Sequence, residues 1–199
     1  FPVDSFVKIY RIVKVVNCTP IKGSKCAEGT EFTSSGSGVI IHSSSDGSVV
    51  LTAGHMCDIG FNKEAMLVSN VVKSIELVTI KNKIFRAKVI NKKVKKGTDL
   101  CILYSGTMVD QNYSKISNSA PRVRDLAYNI AAPAGIFHPP AVPILDGYYS
   151  GYMTDNDSDM YTIPAVGGSS GSPIYNENFE IIGSIYAAAT TYSHMSIST

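Results

Sequence analysis

The chain has 199 residues, 44% of them hydrophobic, enough for one domain or two small ones around a real core. No run of about eighteen apolar residues occurs, which excludes a helix that spans a membrane. A formal net charge of +2 is too mild to point to nucleic acid, and the expected partner is neither nucleic acid nor membrane.

The opening Phe1-Pro2-Val3-Asp4 lacks an initiator Met and the charged and apolar regions of a signal peptide. It reads as a processed or trimmed product whose compartment is not written at its start, with a secreted or periplasmic one favoured. Short β-rich runs then follow in order: Phe6 to Val16, Gly38 to His42, Ser48 to Thr52, Ala65 to Val68, Ser74 to Ile80, Ile84 to Ile90 and Leu100 to Tyr104. Lys92-Lys93-Val94-Lys95-Lys96, with no aromatic residues interleaved, reads as a solvated loop. After a polar stretch from Val109 to Ala120 the pattern resumes with Asp125 to Ala131, Ala141 to Leu145, Gly147 to Thr154, Met160 to Thr162, Pro173 to Tyr175, Ile181 to Ala188 and a run around His194 to Ile197. Regular short strands with poor helical periodicity predict an all-β protein. It divides into an N-terminal module over 1–108, a connector over 109–120 and a C-terminal module over 121–199.

Four cysteines are too few for a disulfide scaffold. Cys18 and Cys26 flank a turn-forming segment, where a hairpin disulfide is plausible in an oxidising compartment; Cys57 and Cys101 read as small buried thiols. Phe137-His138-Pro139-Pro140-Ala141-Val142-Pro143 reads as a rigid surface loop. Asp155-Asn156-Asp157-Ser158-Asp159 lacks the turn glycine and closing glutamate of a calcium loop and reads as a surface turn. His42, His138 and His194 have no metal-ligand spacing, so neither a metal nor another cofactor is expected.

Three segments carry chemistry: Leu51-Thr52-Ala53-Gly54-His55, Gly97-Thr98-Asp99-Leu100 and Gly167-Gly168-Ser169-Ser170-Gly171-Ser172-Pro173. A serine hydroxyl is a poor nucleophile near neutral pH, so it needs an imidazole to take its proton and a carboxylate to hold that imidazole in the right tautomer. Ser170, His55 and Asp99 fill those roles in this reading. The surrounding glycines let backbone N–H groups face a developing oxyanion, with Gly168 and Ser170 as donors.

The order His, Asp, Ser and these flanking residues resemble the chymotrypsin-like serine proteases, across nearly the whole chain. The likeness is to the bacterial-type branches, the high-temperature-requirement proteases and the glutamyl endopeptidases with their exfoliative-toxin relatives. It is carried by Ser35-Gly36-Ser37-Gly38-Val39-Ile40-Ile41 before the histidine motif, and by Gly171-Ser172-Pro173-Ile174-Tyr175-Asn176 with Glu180-Ile181-Ile182-Gly183 after the serine. The resemblance implies two orthogonal six-stranded antiparallel β-barrels with the catalytic cleft between them, and a polypeptide substrate. It places the walls of the primary pocket at Pro164, Ala165 and Val166 and at Ile185, Tyr186, Ala187 and Ala188. With no acidic residue there and Ile185 where glutamyl endopeptidases place a histidine, cleavage after small or medium uncharged residues is expected. Ser169 stands where trypsin carries the aspartate that captures a new N-terminus, so the loop must be ordered by other contacts or by substrate. The alternatives are a catalytically silent binding member of the fold and a protease that processes its own precursor.

Overall fold

The computed structural model describes residues 1–18, 28–58, 68–188 and 196–198. Six strands form the first half: β1 (Phe6–Cys18), β2 (Glu31–Ser44), β3 (Gly47–Ala53), β4 (Val68–Thr79), β5 (Ile84–Lys95) and β6 (Thr98–Ser105). They close into an antiparallel barrel in the order β1-β2-β3-β6-β5-β4. Its interior is filled by Val7, Ile9, Ile40, Val50, Ile75, Leu77 and Leu103. The period of two along β6 buries Asp99, Cys101, Leu103 and Ser105 while their neighbours stay partly exposed, so Asp99 takes an inward position near the strand's start.

The second half repeats the plan with β7 (Leu126–Ile130), β8 (Ile144–Met153), β9 (Ser158–Tyr161), β10 (Pro173–Tyr175), β11 (Ile181–Ala188) and β12 (Ser196–Ser198). These close in the order β10-β11-β12-β9-β8-β7 around Ala127, Tyr149, Tyr161, Ile163, Ile174 and Ile185. A third cluster joins the two barrels: Phe6, Val39, Val78 and Ile80 from the first pack with Ile130, Ala132, Phe137, Tyr175 and Ile181 from the second. Each large apolar side chain buried there contributes about 1.5–3 kcal/mol, which fixes one barrel against the other. The segment between β6 and β7 bonds to both barrels. The Ser114 N–H donates to the Ile40 carbonyl of one barrel (2.9 Å), and the Ser117 N–H to Ile181 of the other (2.8 Å).

The fold differs from the sequence expectation in particular places. Ala141 to Leu145 and Gly147 to Thr154 were expected as two strands, but β8 is a single strand beginning at Ile144. Gly147 does not break it: an added side chain would meet the Ile163 N–H at 2.7 Å, so the glycine serves close approach of a neighbouring segment. Lys92 to Lys95 belong to β5 rather than to a loop, as exposed residues of a strand paired with β6. The Ala65 end of one expected strand, Cys26 with the turn of the expected Cys18–Cys26 hairpin, and His194 lie outside the described residues.

Candidate active site

β3 ends at Ala53, and the chain turns at once into α1 (Gly54–Cys57), a single helical turn that carries His55. Because β3 pairs β6 with Ala53 opposite Leu100, this turn sits over the start of β6, beside Asp99. The His55 N–H donates to Asp99 Oδ1 at 2.9 Å, and His55 Nδ1 lies 2.5 Å from Asp99 Oδ2. An ionised carboxylate only accepts, so Nδ1 carries the proton and Nε2 of the neutral ring is left as an acceptor. Gly54 is the residue that permits this approach, since a Cβ there would come within 2.6 Å of both Asp99 Oδ1 and Val94 Cγ2. The Asp99 side chain is 10% exposed and the His55 ring 44% exposed, so the carboxylate is enclosed while the imidazole faces solvent.

Cys57 and Cys101 are not free thiols, as the sequence reading expected, but form a disulfide. Each follows its catalytic candidate by two residues, and the β3–β6 register brings their Cα atoms to 6.3 Å, inside the range a disulfide bridges. The matching spacing after His55 and after Asp99 was the available signal. Arg11 from β1 ties the other side of the turn, donating to the carbonyls of His55 (3.2 Å) and Asp58 (2.9 Å). Exposed Asp58 has its carboxyl held below the ordinary aspartate range by the hydrogen bond and charge of Lys92.

Ser170 lies in the turn before β10. Its carbonyl accepts from the Ser37 N–H (2.8 Å), the Gly171 N–H donates to Ile185 (2.6 Å), and Gly171 has φ +84° with space only for hydrogen against Ser37, Thr52 and Ala53. The loop of Ser170 is thus seated on β2 and on the end of β3, two residues before His55. Ser170 Oγ and His55 Nε2 are not hydrogen bonded in this structure.

The loop before Ser170 presents its N–H groups selectively. In a trans peptide the C=O and the following N–H point to opposite sides. The Gly167 carbonyl accepts from the Ala134 N–H (2.6 Å) and the Ser169 carbonyl from the Ser172 N–H (2.9 Å). The Gly168 and Ser170 N–H groups are therefore turned the other way, and neither donates to an acceptor among the described residues. Gly168 has φ +96°, and any side chain there would overlap the Ala132 carbonyl. Ser169, 1% exposed, accepts from the Val166 N–H at 3.3 Å. The geometry leaves a pair of unpaired donors beside a serine hydroxyl, with an oriented imidazole on the opposite barrel, which suits stabilisation of an oxyanion.

The residues expected to wall the primary pocket divide. Ala165 and Ile185 are 3% and 1% exposed and pack in the core of the second barrel. Tyr186 packs against the first barrel's core and its hydroxyl lies 2.6 Å from Ser158 Oγ. Pro164, Val166, Tyr186, Ala187 and Ala188 retain exposed surface. The sequence reading missed Ser37 and the turn Pro133–Gly135, both of which touch the Ser170 loop from distant parts of the chain.

Residues 36–183 match the family described as the trypsin-like peptidase domain. No curated protein matches the chain. Among solved structures the chain is similar to a serine endoprotease from Yersinia pestis, with 18% identity and a TM-score of 0.65, a likeness of fold. The match covers 98% of this chain and 58% of that one.

Proposed function

Because the chain belongs to the trypsin-like peptidase family, we propose that it is a serine endopeptidase working through Ser170, His55 and Asp99. In the proposed reaction Ser170 Oγ attacks the scissile carbonyl carbon while its proton passes to His55 Nε2. The carbonyl oxygen becomes an oxyanion facing the Gly168 and Ser170 N–H groups. As the C–N bond breaks, His55 returns the proton to the leaving amine, and water then repeats the sequence to release the acyl group. Asp99 holds the imidazole tautomer throughout and stabilises the imidazolium. The serine–histidine hydrogen bond forms with substrate in place, since such contacts are often long in an empty site and tighten in the complex.

The observation that carries this reading is the pairing of a carboxylate-oriented imidazole with two outward N–H donors, those of Gly168 and of Ser170 itself. The side chains with exposed surface at the expected pocket, Pro164, Val166, Tyr186, Ala187 and Ala188, are all uncharged. We therefore assign a preference for small or medium uncharged residues before the scissile bond, a modest one because a pocket methyl or methylene is worth about 1–3 kcal/mol. Mass spectrometry after exposure to a fluorophosphonate tests the chemistry: labelling of Ser170 that disappears in Ser170→Ala and falls in His55→Ala is expected. Absence of labelling in the unaltered chain overturns the reading. Profiling on a peptide library tests the preference, and steady cleavage after Lys or Glu contradicts it.

A further inference from the structure

We propose that the hydroxyl of Ser37, on the barrel opposite the nucleophile, is the positioning group that holds the Gly168–Ser170 loop with its donors outward. The inference rests on the peptidase reading and names what orders that loop where Ser169 cannot form a terminal ion pair.

The loop from Gly167 to Gly171 is four planar peptide units, and its donor geometry requires each unit to be held in one rotation. Ser37 reaches two of them directly. Its hydroxyl donates to the Gly168 carbonyl (2.8 Å), fixing the unit between the two free donors. Its N–H donates to the Ser170 carbonyl (2.8 Å), fixing the unit just after. A third unit is held at one remove: the Ser37 hydroxyl oxygen accepts from the Ala132 N–H (3.0 Å), anchoring the turn Pro133–Gly135 whose Ala134 N–H grips the Gly167 carbonyl. Lys8, the neighbour of Ser37 across β1 and β2, supports the same turn by donating to the Gly135 carbonyl (2.8 Å). The remaining unit is closed within the loop by Ser172.

Ser37 is fully buried, so no water replaces its hydroxyl if it is removed. Its backbone is separately secured, because the Thr52 hydroxyl donates to the Ser37 carbonyl (2.7 Å). Removing only the hydroxyl therefore leaves β2, Thr52 and the Ser170 carbonyl in place while the Gly168 carbonyl and Ala132 N–H lose their shared partner. The loss falls on the direction of the oxyanion donors, leaving the nucleophile's main chain and the imidazole as they were.

The test compares the unaltered chain with Ser37→Ala and with Ser37→Cys, whose thiol fills the same space but is a weak hydrogen-bonding group. Two rates are measured: fluorophosphonate labelling of Ser170, and acylation of His55 by diethyl pyrocarbonate, which needs no oxyanion donors. Labelling is expected to slow about 10- to 100-fold in both variants, below the full loss of an oxyanion donor, with His55 acylation within about twofold of the unaltered chain. If Ser37→Ala does not fold, Ser37→Cys decides. Labelling within threefold of the unaltered chain overturns the proposal. So does a parallel fall in both rates, which would make Ser37 a general structural residue. No labelling of the unaltered chain would instead remove the peptidase reading on which the proposal stands.

Discussion

Adjacent glycines in the serine loop are expected to respond to alanine in opposite ways. At Gly168 the backbone has φ +96°, where a side chain costs about 1–2 kcal/mol, and a Cβ would overlap the Ala132 carbonyl while standing 3.1 and 3.2 Å from the N atoms of Gly135 and Ala134. All of these are backbone atoms of one turn and cannot swing aside as a side chain could. The available relief is rotation of the Gly167–Gly168 peptide, which breaks the Ala134 N–H to Gly167 bond (2.6 Å) and turns the Gly168 N–H inward. Losing one oxyanion donor costs roughly 100- to 1000-fold in turnover, about 2.7–4 kcal/mol. At Gly167 an added Cβ meets no atom within 4 Å and needs no left-handed backbone, so Gly167→Ala should stay within about 0.5 kcal/mol in stability. Its rate should stay within threefold. Fluorophosphonate labelling kinetics, read beside thermal melting, separate the two. Equal rates for the variants, or unimpaired labelling of Gly168→Ala, would refute the assignment of the Gly168 N–H as a donor.

Asp99→Asn should preserve the fold while lowering turnover by about 10,000-fold near neutral pH, because an amide no longer enforces the Nδ1–H tautomer; a drop under tenfold in a peptidase assay would contradict the role of the carboxylate. The double variant Cys57→Ala/Cys101→Ala opens a loop of sequence separation 44, worth about 4 kcal/mol in the chain-entropy account. Calorimetry should show Tm lower by about 8–16 °C for a chain of this size, and a shift under about 3 °C would argue against that staple. At alkaline pH, burial first and then the hydrogen bond to Asp159 push the Tyr149 hydroxyl up to about 12 from an ordinary value of 10.0, and burial raises Tyr161 and Tyr175 too. With its folded pKa above the unfolded one, the Tyr149 contribution is intact below about pH 10 and is lost as pH rises toward 12. Spectrophotometric titration at 295 nm should find Tyr149 and Tyr161 still protonated in the native chain at pH 11; their ionisation there without unfolding would count against the packing described.

Much of the fold was legible because strand-forming residues come in short runs bounded by turn residues. Runs such as Leu100 to Tyr104, and the turn residues between them, gave the strands and the all-β class without any knowledge of pairing. Local pattern failed where close approach outweighed propensity. The gap read at Asp146 lies inside β8, where Gly147 is a contact point, and Lys92 to Lys95 looked like a loop and are the exposed end of a paired strand. Cys57 and Cys101 were misread for a related reason: the bond depends on the register that sets Ala53 opposite Leu100, and register is a property of two strands together.

The candidate catalytic residues were read from the sequence itself, since nucleophile, base and carboxylate are chemical types fixed by the side chain, and their glycine-rich flanks mark where a backbone must come close. What only the tertiary structure decided is how the loop of Ser170 is held. The Ser37 hydroxyl, the Ala134 N–H and the Gly167 and Gly168 carbonyls come from three stretches of chain with no shared local pattern. The Ser37 bond is made by the docking of two barrels across the cluster of Phe6, Val39, Ile130 and Tyr175, and the Ala134 bond by the closing of the second barrel. Their partners exist only once both barrels have closed and that apolar surface has been buried.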